Sequence, residues 1–182
     1  MPILGTVASQ FSSKPFWSYE SIATVTVGSG GAADVTFSSI PATYTHLQIR
    51  CLTLFATADS GANIRFNSDS GSNYSWHRIL GNGSSVSAAA GANQTYGLVT
   101  IGAQSSSNIP GCSIIDILDY ANTNKYKTVR DLAATDANGN GYITLLSSNW
   151  RSTSAITSIV IAGAGGNFNQ YSQFALYGIK GA

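Results

Sequence analysis

The chain has 182 residues, 43% of them hydrophobic, which is enough to bury a core and suits one domain better than two. Only 9% are charged, against roughly 25% in an average soluble protein, and Glu20 is the only glutamate; a helix-rich fold is not expected, because amphipathic helices draw their wet faces from Glu, Lys and Arg. Nine Lys and Arg against eight Asp and Glu leave a net charge of +1, so there is no basic field to hold a phosphate backbone and nucleic acid is not an expected partner.

In chain order, residues 1–19 stand apart as an extended N-terminal arm, and residues 20–182 read as a β-sandwich domain. In the arm, Ile3, Leu4, Val7, Phe11, Phe16 and Trp17 are spread among Gly, Ser and Pro with neither helical nor strand period. Such a segment cannot hide its own apolar groups, so it is expected either to bind a neighbouring subunit or to lie along its own sandwich as a strap. Its first positive charge, Lys14, follows the apolar part, which is the reverse of a secretory signal. No apolar run reaches the roughly 18 residues of a membrane span, so a soluble chain without membrane insertion is expected.

From Glu20 onward, short β-branched or aromatic runs alternate with Gly, Ser, Asn and Asp. Strands are predicted over 20–28, 32–39, 45–56, 62–67, 73–80, 95–102, 112–119, 126–134, 142–149, 156–162 and 171–179. Thr24 to Val27 and Val35 to Ser38 alternate as half-buried strands should. Leu47 to Phe55, Ile114 to Leu118 and Ile156 to Ile161 are apolar on both faces, which suits central strands or strands covered by a neighbouring subunit. Asn82-Gly83 and the Gly139-Asn140-Gly141 cluster mark turns. The Gly-, Ser- and Ala-rich stretch from Gly81 to Asn93 reads as a surface loop. This spacing predicts an all-β antiparallel β-sandwich, jelly-roll-like. Cys51 and Cys112 are expected to be two buried thiols.

Candidate chemistry is sparse. Asp136-Ala137-Asn138-Gly139-Asn140-Gly141 matches the start of a calcium loop, but Ser147 stands where a bidentate Glu is needed, so a hairpin turn is expected there and no metal. Only His46 and His77 could serve a nucleophile, and neither has an elbow or triad context. Asp116 and Asp119 point to opposite faces of a strand and are not expected to address one glycosidic bond. No catalytic residue and no cofactor is expected. Trp76, Trp150 and Tyr96 stand near polar loops and are candidate stacking partners for a host surface glycan, with core packing the competing reading.

Phe37 to Arg50, Arg65 to Trp76, Asp119 to Lys125, Thr153 to Ile159 and Gln173 to Ile179 together resemble a family of tailed-phage virion proteins. The resemblance runs from about residue 20 to about residue 180. It implies a β-sandwich module serving either as a trimeric head-decoration, or cement, protein or as a distal motif of a tail spike or fibre. The family motifs are structural. With only a short arm beside the sandwich and no long stalk, the sequence favours the first: a homotrimer, without enzymatic activity, that binds the major capsid protein on the outer shell, with Ile3, Leu4, Val7, Phe11, Phe16 and Trp17 of the arm as the expected capsid or subunit contacts. A receptor- or carbohydrate-binding module of the distal tail is the alternative.

Overall fold

The computed structural model describes residues 18–55, 61–101 and 108–181. Among them are twelve strands and no helix: β1 (Tyr19–Thr26), β2 (Asp34–Phe37), β3 (His46–Thr53), β4 (Ala62–Phe66), β5 (Tyr74–Gly81), β6 (Val86–Gln94), β7 (Gly97–Val99), β8 (Gly111–Leu118), β9 (Lys127–Asp136), β10 (Gly141–Trp150), β11 (Ile159–Gly163) and β12 (Gln173–Ile179). They form two antiparallel sheets. The larger has eight strands in the order β1-β12-β3-β8-β9-β10-β5-β6, and the smaller has four in the order β2-β11-β4-β7. First and last strands pair in a nested way, β1 with β12 and β2 with β11, so the chain rolls up on itself as a jelly roll does. The result is the antiparallel β-sandwich the sequence predicts.

The core lies between the sheets and follows strand alternation. Leu47, Ile49 and Cys51 of β3, Ile115 and Ile117 of β8, and Phe174 and Leu176 of β12 face Ile64 and Phe66 of β4 and Ile159 and Ile161 of β11. Two aromatic groups close this layer. Phe55, Phe168 and Phe174 meet at centroid distances of 4.9 and 4.8 Å, and Phe66, Tyr74 and Trp150 at 5.5 to 6.4 Å. Along β7, Ser148 Oγ donates to the Leu98 carbonyl at 2.8 Å, which ties the edge of the small sheet to β10 of the large one.

Three sequence expectations are corrected. The stretch 81–93 is not a loop: only residues 82–85 turn, and β6 follows as the edge strand of the large sheet, paired with β5 from Gly81↔Val86 to Tyr74↔Gln94. Ala and Gly have low strand propensity, so β6 owes its conformation to hairpin pairing and not to its own side chains. Cys112 is exposed, because it has the outward parity of β8 whereas Cys51 has the inward parity of β3. Trp150 is core, as described below. The two marked turns are real. Asn138 and Gly139 both have positive φ (59° and 87°), Ala137 N–H donates to the Asn140 carbonyl at 2.6 Å, and Asp136 Oδ1 accepts Gly139 N–H at 3.0 Å. This is the two-residue Asn-Gly hairpin geometry that matches strand twist.

Candidate docking face

In a sandwich one face of each sheet is inside and the other meets solvent, so outward positions are normally polar. The large sheet breaks that rule in two adjacent rows. Register places Ile114 beside Leu132, Leu132 beside Leu145, Leu145 beside Ile79 and Ile79 beside Ala88, a line across β8, β9, β10, β5 and β6. The next row runs Leu52, Cys112, Ala134, Ile143, Gly81 and Val86 from β3 to β6. The large members of both rows are open to solvent, from 42% for Ile114 to 76% for Val86. A shallow groove of about 660 Å³ runs along Ile79, Leu145 and Ala88, with Arg130 and His77 at its end.

Seven large apolar side chains in two adjacent rows, 42% to 76% exposed, make a contiguous apolar patch of the kind that marks a docking surface, unlike the scattered single hydrophobic residues of an ordinary monomer surface. The third row is polar and tightly bonded. Asp116 accepts Gln48 Nε2 at 2.7 Å and pairs with Arg130 at 2.7 Å, and Arg50 Nε donates to Gln48 Oε1 at 3.0 Å. Tyr19 Oη also donates to Gln48 Oε1, and Arg50 lies over the Tyr19 and Tyr177 rings at 5.3 and 5.4 Å. An apolar centre flanked by an ordered polar rim is how protein-binding surfaces are built.

The sequence flagged residues 114–118 as apolar on both faces but did not join Ile114 to Leu132, Leu145 and Ile79, because only register makes them neighbours. Trp150, a glycan candidate, is only 2% exposed: its Nε1 donates to Asp69 Oδ2 at 2.7 Å and its ring stacks on Tyr74, so it has no face for a sugar. Trp76 turns inward from β5, its ring against Gly91 and its Nε1 buried without a hydrogen-bond partner among the described residues. Tyr96 stands with Arg65, whose guanidinium lies 6.0 Å from its ring. These three rings do not make one stacking platform. The arm residues Ile3, Leu4, Val7, Phe11, Phe16 and Trp17 lie outside the described residues.

Asp119 and Asp69 are engaged in separate contacts. Asp119 pairs with Lys125, whose ammonium holds its carboxyl below the usual carboxylate range, and lies 3.5 Å from His46 Nδ1. Burial pushes the Asp69 carboxyl up, but hydrogen bonds from Trp150, Asn73 and the Gly71 amide outweigh it and leave the group below its ordinary value. Among the described residues, no three of His, Cys, Asp and Glu come together in a group that could hold a metal ion. Among the described residues, no helix is long and apolar enough to cross a membrane.

No family model and no curated protein matches the chain. Among solved structures, a protein of unknown function from Shewanella oneidensis MR-1 aligns over 90% of this chain and 77% of its own, at 8% identity and a TM-score of 0.21.

Proposed function

We propose that this chain is a non-enzymatic virion protein that acts by docking: a homotrimeric head-decoration protein whose outer apolar face seats on the major capsid protein and stabilises the assembled shell. The observation that carries the reading is the pair of apolar rows on the large sheet. A surface of that size exposed in solution promotes self-association, and its burial favours the bound state by roughly 25 cal/mol per Å² before ordering costs are subtracted. A protein that binds the assembled shell and not the free capsid subunit stabilises the shell by mass action. The low charge of the chain suits this role, since charged residues are depleted at interface centres.

The test combines location with mutation. Antibody-labelled virions imaged by electron cryomicroscopy should carry label over the whole head. The variant Leu132→Glu/Leu145→Glu should remain folded by circular dichroism and yet fail to sediment with decoration-free heads. Label confined to the tail tip overturns the head reading in favour of a receptor-binding module. Full head occupancy by the double variant overturns the role of the apolar face.

A further inference from the structure

The large sheet ends in two free edges, and they are unlike. β1 carries Glu20, which pairs with Lys180 at 2.6 Å and accepts the Tyr44 hydroxyl at 2.9 Å. β6 has nine residues, Val86-Ser87-Ala88-Ala89-Ala90-Gly91-Ala92-Asn93-Gln94, with no charge and no proline; its pairing is regular from Val86 to Gly91 and bulged beyond it, where Asn93 has φ of 54°. Among the described residues its one sheet neighbour is β5. Monomeric sheet proteins blunt such edges with Lys, Pro, bulges or a covering segment, because an open row of N–H and C=O groups templates another strand. Small side chains also leave the β6 backbone accessible from both faces.

We propose that β6 is a strand-addition site, and that its occupant is the N-terminal segment of a neighbouring copy of this chain, residues 3–13. That run of eleven residues lies between Pro2 and Lys14 and contains neither proline nor charge, so it is long enough to pair along the whole regular part of β6, Val86 to Gly91. Strand addition draws its affinity from main-chain hydrogen bonds, so the run needs no side-chain period of its own.

Reach decides between a chain's own segment and its neighbour's. Ser18 is fixed beside β12, its carbonyl accepting Lys180 N–H at 3.1 Å. An added strand outside β6 lies eight strand spacings from β1 in the observed order, about 38 Å at about 4.8 Å each. If residues 3–11 pair along β6, the seven steps from Phe11 to Ser18 span at most about 25 Å. Measured along the sheet, the chain's own segment falls short of β6 in full register, and a neighbour's segment is not bound by that span. Because the donor leaves the β1 edge of one copy and lands on the β6 edge of the next, the contact is head-to-tail, and such contacts close into a ring when the rotation between copies closes and otherwise run on as a filament. A ring of three is the trimer of the proposed function. The inference rests on that trimer and not on the capsid.

The test uses the full chain. Light scattering should give three times 18.9 kDa, and hydrogen exchange should show β6 amides protected in a concentration-dependent way. The variant Thr6→Pro/Val7→Pro removes one backbone donor of each parity from the segment without touching the twelve strands. It should lower the mass threefold and speed β6 exchange at least tenfold. A trimer with unchanged β6 protection in this variant overturns strand addition and leaves the proposed function standing. Protection of β6 in a monomer, independent of concentration, assigns the edge to the chain's own segment and overturns the inference. A monomer at every concentration with fast-exchanging β6 overturns the trimer and the inference together.

Discussion

Asp131 and Lys127 are charged side chains buried in the sandwich, and each is held for a different reason. Asp131 accepts Thr100 N–H at 2.5 Å and the Ser113 hydroxyl, joining β9 to β8 and to the residue after β7. Burial pushes its pKa up to about 7 from 3.8, against the pull of those two bonds. A folded pKa above the unfolded one means that its stabilising contribution is full below about pH 4 and is lost as pH rises through about 7. Stability should therefore fall across pH 4–7 by a few kcal/mol. Asp131→Asn keeps an acceptor for Thr100 and a donor for Ser113, so denaturant titrations of this variant should show that slope removed. Lys127 donates to the carbonyls of Asn122 (2.6 Å), Lys125 (3.0 Å) and Thr153 (3.4 Å), fastening the β8–β9 connection to the segment after β10. Burial lowers its pKa, with Asp119 opposing. Lys127→Met strands all three acceptors and should cost about 2–4 kcal/mol in urea unfolding. The partners of Asp131, and Thr153 among those of Lys127, come from distant segments, whereas Asn122 and Lys125 are near neighbours of Lys127 in the chain.

At the scale of elements, β8 carries the plainest contrast. Ile115 is fully buried between the sheets, while Ile114 faces out in the apolar row. Ile115→Ala should cost about 2–5 kcal/mol, the usual range for a truncated core aliphatic. Ile114→Ser should change folding stability by less than about 1 kcal/mol and reduce docking instead, which calorimetry and head sedimentation separate. The β9–β10 hairpin gives a second test. Gly139 has φ of +87°, a conformation that costs a residue with a Cβ about 1–2 kcal/mol, so Gly139→Ala should lower the melting temperature. Added calcium should not raise it, because Asp136 already caps the turn. All eleven runs predicted from composition and alternation became strands, since Val, Ile, Thr and aromatic residues mark a pleated surface with one dry side. The missing strand, β6, packs almost nothing and so left no hydrophobic signal; its conformation is inherited from β5 through the Asn82-Gly83 turn.

For the whole molecule, the decisive pairing is of chain ends. β12 lies between β1 and β3, with Phe174 and Leu176 in the core, so a protein truncated after Ser172 leaves β1 without a partner and opens the inner layer. That truncation should give a disordered far-UV circular dichroism spectrum, and a strand-rich spectrum would contradict the account. The sequence by itself determined the all-β class, the positions of most strands, the alternation of residues 24–27 and 35–38 and the two tight turns, because alternation and turn chemistry act within a few residues. It could also say that some strands were apolar on both faces. Only the tertiary structure decided which outward residues become neighbours, that Trp150 is core and Cys112 surface, and that β6 is a free edge. The physical reason is that register and strand order are set by contacts between segments far apart in the chain: β5 meets β10, and β3 meets both β8 and β12. A surface assembled from five or six strands exists only once those pairings are made.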